Sequence, residues 1–512
     1  MSTDPAIQEL RALVGLITKS LDSIESTVLA RKESWPSPSE PFTRESEAVR
    51  NLPEVAAASD VLISAAEQLI ASVRSPAYGV LTTAMQSEVT AALGATIRLH
   101  VPEILREAGP KGLSVKEIAA FTQVDPYKLA RIMRILAAHH IYIETSPDVF
   151  VYNRTSSILD SGKSVAAILQ DPTSKHDGTL GISALFESMI DDGLKSSAYL
   201  YESLVDERTK TSEKASDAAF SLAYNTTDIT YFEMLHRPGN EYKRKRFDVA
   251  MLSAQVLVPN DLIFQGFDWV ALPAGSVIVD VGGGVGSQTL VLAKAFSHLN
   301  FVVQDLEKTV EQGKQVNDCN LFHEKRSHLL HQYFQEKLPG ALTSGQVKFQ
   351  GQGIFTGYLH TLSRKAMLIY GFAAHDFFKP QPVQGPTIFL LRRILHDWSE
   401  GESIRILRQL RAAASPDTQL MIVETVVSYV CQEPPSDIPG AALAAPPAPL
   451  LPNGGYSQCA DYMIDVHMMS MFNGEERTLL RWQKLLAESG WKLARVHRVK
   501  SVQSKIIAKP VF

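Results

Sequence analysis

The chain has 512 residues, of which 45% are hydrophobic and 21% are charged, and its formal net charge is −5. This length and composition are typical of a soluble globular protein of about three domains, and the acidic balance disfavours a nucleic acid as partner. The sequence contains no apolar run of about 18 residues, so we predict no membrane span. Three isolated cysteines indicate a reducing compartment such as the cytoplasm, and neither a disulfide framework nor a metal site.

Residues 1–86 are predicted to form helices and a linker. Apolar residues recur with a helical period over residues 7–31, and an alanine-rich helix is predicted near residues 56–73. The prolines within residues 35–41 separate the two, because a helix cannot continue through them.

Residues 87–160 predict a compact unit in which two helices precede a hairpin. Ser114 and Glu117 have the capping-box spacing that opens a short helix. Asp125 followed by Pro126 predicts the start of the second helix. Two β-like runs follow, at residues 140–144 and 149–153, and this order of elements is typical of a winged helix.

A winged helix could bind DNA or serve as a packing and dimerisation module. The second helix of the unit carries Lys128, Arg131 and Arg134, which is a modest basic face on an acidic chain. Dimerisation is therefore the favoured interpretation, and DNA binding the weaker one.

Residues 161–262 are predicted to be mostly helical, with scattered aromatic residues that could be core or could line a pocket. Residues 263–512 alternate strands with helices, which predicts an α/β fold with a doubly wound, Rossmann-like sheet. Strands are predicted at residues 277–280, 301–304, 387–391, 419–424, 493–499 and 504–508. The short connection between the last two favours an antiparallel pair.

A glycine-rich turn follows the first of these strands. Asp280, Gly282, Gly284 and Gly286 stand at alternate positions, and a helix is predicted from Ser287 onward. A dinucleotide fingerprint starting at Gly282 would need glycine where Ser287 stands. The pattern D-x-G-x-G-x-G fits at every position and resembles the first motif of S-adenosylmethionine (SAM) methyltransferases.

Asp305 ends the second strand, 19 positions beyond Gly286. Nucleotide-binding sheets place an acidic residue at about this distance, because its two oxygens can accept hydrogen bonds from both ribose hydroxyls. Together with the glycine turn, Asp305 predicts a nucleoside site.

The rest of the chain resembles the plant and fungal O-methyltransferases related to caffeic acid O-methyltransferase. The matching pieces occur in the order of the family and are DVGGGVG, QDL, HDFFKPQP, LRRILHDW, the glutamate of MIVETVV, and NGEERT. The resemblance spans most of residues 90–510. It implies a SAM-dependent enzyme with an N-terminal dimerisation region, acting as a homodimer on a small phenolic molecule of secondary metabolism.

The resemblance also implies roles for individual residues. The general base of the family maps to His396, and its flanking glutamates map to Glu424 and Glu476. Cofactor contacts map to the residues of the glycine turn and to Asp305, Asp376, Phe377 and Arg392. A histidine suits this role, since a phenol with a pKa of about 10 is a poor nucleophile until a base takes its proton.

Other interpretations stay open at the sequence level. The same fold and cofactor could serve a cyclase or pericyclase that transfers no methyl group, and a silent SAM- or DNA-binding regulator is a further alternative. For the site, His396 could simply end a strand, Glu424 could be a solvated charge, and Glu475 and Glu476 could begin a helix.

The sequence departs from the family between Asp305 and Asp376, which stand 71 positions apart (376 − 305). The excess includes residues 351–373, which interrupt what would otherwise read VKFQAHDFF. Two interpretations are open, a surface excursion and a translated intron, and transcript reads that lack the segment would support the second.

Overall fold

The computed structural model describes residues 4–257, 260–284, 286–305, 346–349, 373–499 and 503–512. Two long helices open the chain, α1 (Pro5–Arg31) and α2 (Pro53–Val73), close to the predicted bounds. Asp4 caps α1 by accepting a hydrogen bond from the N–H of Ala6 at 2.9 Å. The two helices pack against each other and against Leu450, which lies in a proline-rich segment at residues 433–451.

Among the described residues, α2 is one helix that is long and apolar enough to cross a membrane. Its mean hydropathy is 1.3 over an 18-residue window, of which 17% is buried. The sequence analysis did not identify this helix as a candidate span, because charged residues interrupt its apolar runs. A single such helix is weak evidence for a membrane span, because the core helices of soluble proteins and signal sequences meet the same criterion of length and composition.

The next unit contains a three-stranded antiparallel sheet with the order β1-β3-β2. The capping box forms as predicted, since the N–H of Ser114 donates to Glu117 and the N–H of Glu117 donates to Ser114. Asp125 likewise caps its helix. The elements are α3 (Pro76–Ala84), α4 (Gln86–Arg98), α5 (Val101–Ala108), β1 (Leu113–Ser114), α6 (Val115–Thr122), α7 (Pro126–Ala138), β2 (Tyr142–Ser146) and β3 (Val149–Tyr152).

The basic face of α7 is partly neutralised by the hairpin that follows it. Arg134 pairs with Asp148 at 2.6 Å and with Glu144 at 3.5 Å. One of the three basic side chains of α7 is therefore paired within the chain, which favours a packing and dimerisation module over a DNA-binding one. The winged-helix interpretation itself stays a prediction.

A buried cluster of charges joins the helices of the third region. Arg246 on α15 donates to Glu187, Asp191 and Asp192 at 3.1, 3.1 and 2.9 Å, and Arg98 of α4 reaches Asp191 at 2.6 Å. The helices are α8 (Arg154–Ser157), α9 (Val165–Gln170), α10 (Ile182–Ser188), a π-helix (Met189–Gly193), α11 (Leu194–Ser197), α12 (Leu200–Val205), α13 (Ala219–Ala223), α14 (Tyr231–Leu235) and α15 (Glu241–Leu257).

The C-terminal domain is built on a mixed sheet with the strand order β10-β11-β9-β8-β4-β5-β6, and β7 also pairs with β5. The last two strands form the predicted antiparallel pair. The strands are β4 (Val277–Val281), β5 (Asn300–Asp305), β6 (Val347–Phe349), β7 (Ala373–Ala374), β8 (Ile388–Arg392), β9 (Gln419–Glu424), β10 (Trp491–His497) and β11 (Ser504–Pro510).

Helices cover both faces of this sheet and complete two apolar cores. Leu391, Trp482 and Trp491 are buried in one core, and Trp269, Leu292 and Phe301 in the other. These helices are α16 (Ser287–Ala295), α17 (Glu400–Ala413) and α19 (Leu479–Glu488). A further helix, α18 (Cys459–Phe472), packs against α11 and α13 of the third region. Short 3-10 turns lie at Glu45–Glu47, Gly109–Lys111, Pro172–Ser174, Ala215–Asp217, Asn260–Phe264, Leu395–Asp397 and Tyr456–Gln458.

Strands β6 and β7 were not predicted, and they flank the additional segment of the sequence on either side. Both are parallel to β5, with Val303 opposite Phe349 and Gln304 opposite Ala373. Adjacent residues of β5 therefore face partners that are 24 positions apart (373 − 349). Because β4 occupies the other edge of β5, the two short strands continue one edge in a single register. The intervening 350–372 lie outside the described residues.

We expect that deleting residues 350–372 leaves the melting temperature Tm equal to that of the full chain or up to a few degrees higher. The deletion joins Phe349 to Ala373 in register and removes a connection whose closure costs entropy. Thermal unfolding followed by circular dichroism measures this. As a control, deleting residues 347–372 also removes β6 and should lower Tm. If the chain without residues 350–372 loses its cooperative unfolding transition, then β6 and β7 cannot be joined into one continuous strand beside β5.

Candidate active site

The glycine turn lies at the carboxyl end of β4 and leads into α16. Gly282, Gly284 and Gly286 have φ angles of 70°, 54° and 67°, a region that residues with a Cβ rarely adopt. A Cβ added at Gly284 would meet no atom within 4 Å, whereas one at Gly282 would lie 2.4 Å from Cδ1 of Ile394. The backbone at Gly284 therefore borders open space, as a turn that cradles a cofactor requires.

Asp280 lies beneath this turn. Its carboxylate accepts a hydrogen bond from the hydroxyl of Thr289 at 2.7 Å, and burial raises the pKa of Asp280 to about 6. A Cβ at Gly283 would lie 2.7 Å from Cγ of Asp280. Asp280 therefore braces the turn from inside.

Three sequence-predicted residues converge beside the turn. Asp305, at the end of β5, accepts a hydrogen bond from the N–H of Gly284 at 2.8 Å. The N–H of His375 donates to the carbonyl of Asp305 at 2.9 Å, which places the adjacent Asp376 and Phe377 at the same edge. The ring of Phe377 approaches the position of a Cβ on Gly282 to 3.8 Å. The residues predicted for the nucleoside site thus lie together at one edge of the sheet.

Arg392 ends β8 and points its guanidinium toward the last strands of the sheet. Its Nε donates to Gln503 at 2.8 Å. Burial, together with the neighbouring Arg393, lowers the pKa of Arg392 to about 10, while Asp280 acts in the opposite direction. Among the predicted cofactor residues, Arg392 therefore has a hydrogen-bond partner next to β11, at Gln503.

His396 lies in the 3-10 turn that follows β8. Its Nδ1 lies 2.7 Å from Oε1 of Glu476, so a neutral imidazole donates its Nδ1 proton to this carboxylate. Glu424, buried at the end of β9, accepts hydrogen bonds from the N–H groups of Ile394 and Leu395 at 3.0 and 2.7 Å. The two predicted glutamates thus act differently: Glu476 contacts the imidazole, and Glu424 holds the backbone in front of it.

The electrostatics of this turn favour the imidazolium. Burial opposes a charge on His396, but Asp397, Glu476 and Glu424 outweigh it and raise the pKa of His396 to about 9. Burial also raises the pKa of Glu424 to about 7. The imidazole is therefore a stronger base than a free histidine.

The segment from Gly474 to Arg477 completes the site, and the sequence analysis assigned a role only to Glu476. The side chain of Glu475 pairs with Arg481 at 2.9 Å and does not approach the imidazole. Arg477 is 1% exposed and donates to the carbonyls of Leu395 and Trp398. Arg477 is the arginine of the motif NGEERT, so the family resemblance could have singled it out. The partners of a buried arginine cannot be identified from sequence.

No group of three or more histidine, cysteine, aspartate or glutamate residues with metal-binding geometry occurs in the part of the chain that the structure describes. Cys431 and Cys459 are free thiols, and Cys319 lies outside the described residues. A glycine turn with an acidic residue beside it, together with a histidine–carboxylate pair at the end of the neighbouring strand, is the arrangement expected of a cofactor-dependent transferase with a Rossmann-like sheet.

Comparison with known proteins narrows this class to one family. The model of the O-methyltransferase dimerisation domain matches residues 82–159, and that of the O-methyltransferase domain matches 201–343 and 361–438. An O-methyltransferase of Armillaria gallica is 37% identical over 98% of this chain and 99% of its own. The 4-O-methyltransferase 1 of Phanerochaete chrysosporium is 36% identical over 96% of each chain. The chain belongs to the SAM-dependent O-methyltransferases of the caffeic acid type, which act on aromatic metabolites.

Solved structures share the fold at low sequence identity. OxaC, solved in complex with sinefungin and meleagrin, has a TM-score of 0.59 and 19% identity, covering 96% of this chain and 98% of its own. An enzyme described as a pericyclic reaction enzyme has a TM-score of 0.58 and 17% identity, covering 90% and 95%. At this identity the likeness extends to the fold alone, so it does not favour the pericyclase alternative.

Proposed function

We propose that the protein methylates a phenolic hydroxyl, with His396 as the general base and Glu476 as the group that orients it. The observation that carries this proposal is the 2.7 Å contact between His396 Nδ1 and Oε1 of Glu476, in the turn that follows β8. A carboxylate on Nδ1 fixes the tautomer whose Nε2 can accept a proton, and it stabilises the imidazolium that forms.

SAM supplies an activated methyl group on a sulfonium when it is bound. We infer that the turn from Gly282 to Gly286, with Asp280 beneath it, and the neighbouring Asp305 hold its amino acid and ribose. We infer that Asp376 and Phe377 hold the adenine of SAM. Arg392 is the last of the proposed cofactor-binding residues. The fit rests on the open space at Gly284 and on the carboxylate of Asp305 at the strand end.

In this mechanism the chain contributes alignment and proton removal. Methyl transfer is a displacement in line with the departing sulfur, so holding donor and acceptor at the correct distance supplies much of the rate. His396 removes the proton of the acceptor hydroxyl as the new bond to oxygen forms. Glu424 keeps the turn in place through the N–H groups of Ile394 and Leu395.

The proposal is tested by incubating the purified protein with labelled SAM and a panel of phenolic polyketides and phenylpropanoids. Release of S-adenosylhomocysteine together with a methylated phenol is the expected result. Tight SAM binding without product across the panel would contradict phenol methylation and favour a non-methylating activity.

The pH dependence of kcat/KM provides a separate test. Because only the neutral imidazole accepts a proton, and the pKa of His396 is raised to about 9, kcat/KM should increase with pH up to about pH 9. Replacing Glu476 with glutamine removes a neighbouring negative charge, so the pKa of His396 falls. The acid limb should then move to lower pH by roughly one unit. Steady-state kinetics at saturating SAM measure the acid limb of the wild type and that of Glu476→Gln.

The matched control is Glu475→Gln. The carboxylate of Glu475 pairs with Arg481 at 2.9 Å and lies 3.5 Å from Nε of Arg477, whereas it is the carboxylate of Glu476 that contacts the imidazole of His396. This variant should keep the wild-type acid limb. An acid limb that stays unchanged in Glu476→Gln, or moves equally in both variants, would contradict the assignment of Glu476.

We also propose that the protein is a cytoplasmic homodimer. The support is the match of residues 82–159 to the dimerisation domain, together with exposed apolar side chains on the neighbouring α3, such as Val80 at 71% exposure. The free thiols of Cys431 and Cys459 suit a reducing compartment. Light scattering should give twice the mass of the chain, and a monomer at micromolar concentration would contradict the proposal.

A further inference from the structure

The carbonyl groups around His396 are held by one short segment of the chain. The N–H of Glu475 donates to the carbonyl of His396 at 2.9 Å. Arg477 donates through Nη1 to the carbonyl of Leu395 at 2.8 Å and through Nη2 to that of Trp398 at 2.7 Å. Three carbonyls of the catalytic turn therefore have partners from residues 475–477.

The same segment approaches the turn too closely for a side chain at its first residue. A Cβ at Gly474 would lie 2.1 Å from the carbonyl oxygen of His396, a distance that no real contact allows. The segment also carries Glu476, which contacts the imidazole. Backbone and side chain of His396 are thus fixed by one continuous piece of chain.

The side chain of Arg477 suits this task because its guanidinium is a rigid, planar fork. The guanidinium is 5.3 Å from the ring of Trp482, and Nη2 also donates to the hydroxyl of Ser403 at 3.2 Å. A lysine ammonium has no such fork and cannot reach two carbonyls with fixed geometry. The other donors to these carbonyls are longer and neutral: the hydroxyl of Ser403 lies 3.4 Å from the carbonyl of Leu395 and 3.3 Å from that of Trp398, and the N–H of Trp398 lies 3.2 Å from that of Leu395. The guanidinium therefore supplies the short, charge-assisted hydrogen bonds of the turn.

We propose that Arg477 is a positioning residue for methyl transfer, which sets the angle of the His396 imidazole by holding the carbonyls of Leu395 and Trp398. This inference rests on the proposed role of His396 as the base. In this proposal Arg477 contacts the turn and neither the cofactor nor the acceptor. It acts through the turn that carries the base, and loss of the fork lets the imidazole move away from Glu476.

The test compares Arg477→Lys with Trp482→Phe. The lysine variant should lower kcat by roughly 10- to 100-fold while the dissociation constant for S-adenosylhomocysteine stays unchanged, because a displacement of about 1 Å has a cost of this order. Trp482→Phe removes packing against Arg477 but keeps its hydrogen bonds to the carbonyls of Leu395 and Trp398. It should lower Tm and leave kcat near the wild-type value at a temperature where the protein is folded.

A second readout does not depend on turnover. Titration of the His396 imidazole by NMR, without acceptor, should show a lower pKa in Arg477→Lys than in the wild type, since the contact with Glu476 is weakened. Trp482→Phe should keep the wild-type titration. An unchanged kcat and an unchanged imidazole titration in a folded Arg477→Lys would overturn the inference. Full activity of His396→Ala would instead refute the proposed function, whatever the result at Arg477.

Discussion

Replacing His396 with alanine is expected to lower kcat by roughly 10²- to 10⁴-fold, the range that a general base contributes. The variant loses the group that accepts the hydroxyl proton, while the cradle at Gly284 and the carboxylate of Asp305 are untouched. Affinity for S-adenosylhomocysteine should therefore stay close to the wild-type value. Single-turnover methyl transfer and calorimetric titration measure the two quantities.

The matched control for this experiment is His236→Ala. His236 is exposed, and the one side-chain contact the structure gives it is between Nδ1 and the carbonyl of Phe232. This variant should keep wild-type kcat and cofactor affinity. Turnover that persists in His396→Ala at more than a tenth of the wild-type rate would exclude His396 as the base.

The second large effect is expected at the cofactor, where Asp305→Ala should weaken binding of S-adenosylhomocysteine by roughly 10- to 100-fold. Each hydrogen bond to a charged group contributes about 1.5 to 3 kcal/mol, and a tenfold change in affinity corresponds to about 1.4 kcal/mol. Besides the proposed contact to ribose, the variant loses the acceptor that holds the N–H of Gly284. Isothermal titration calorimetry measures the change directly.

Two further variants make this result specific. Asp305→Asn keeps an oxygen that can accept from Gly284 but loses the charge, so its affinity should be intermediate. Asp417→Ala removes an exposed carboxylate at the start of β9 and should bind like the wild type. In thermal unfolding, S-adenosylhomocysteine should raise the Tm of Asp417→Ala but raise that of Asp305→Ala much less at the same concentration. Equal shifts would contradict the assignment of Asp305.

Local patterns in the sequence predicted local structure well. The capping box at Ser114 and Glu117, the cap at Asp125 and the turn after β4 all form where predicted, because neighbouring residues in the chain determine each of them. The ends of the strands that precede Asp305 and His396 were also predicted from local patterns. Because the carboxyl ends of parallel strands meet at one edge of a sheet, these two residues were expected on the same edge.

Interactions between distant residues were predicted only where the family resemblance supplied them, as for His396 with Glu424 and Glu476, or where a short connection joined two strands. Arg246 pairs with carboxylates more than 50 positions away, and Arg477 binds carbonyls about 80 positions away, so no spacing in the sequence identifies the partners. The choice between Glu475 and Glu476 also depended on three-dimensional geometry. Short edge strands such as β6 were missed because three residues carry too little periodicity to be distinguished from a loop.

The missing side chain of Gly282 links the two halves of the site. The space that a Cβ would fill is occupied by Cδ1 of Ile394, and the N–H of Ile394 is held by Glu424 two residues before His396. The cradle of the methyl donor and the turn of the base therefore touch at one point. Under the proposed mechanism, Ile394 couples the position of the glycine turn to that of the turn that carries His396, so a displacement of either turn reaches the other through this one contact.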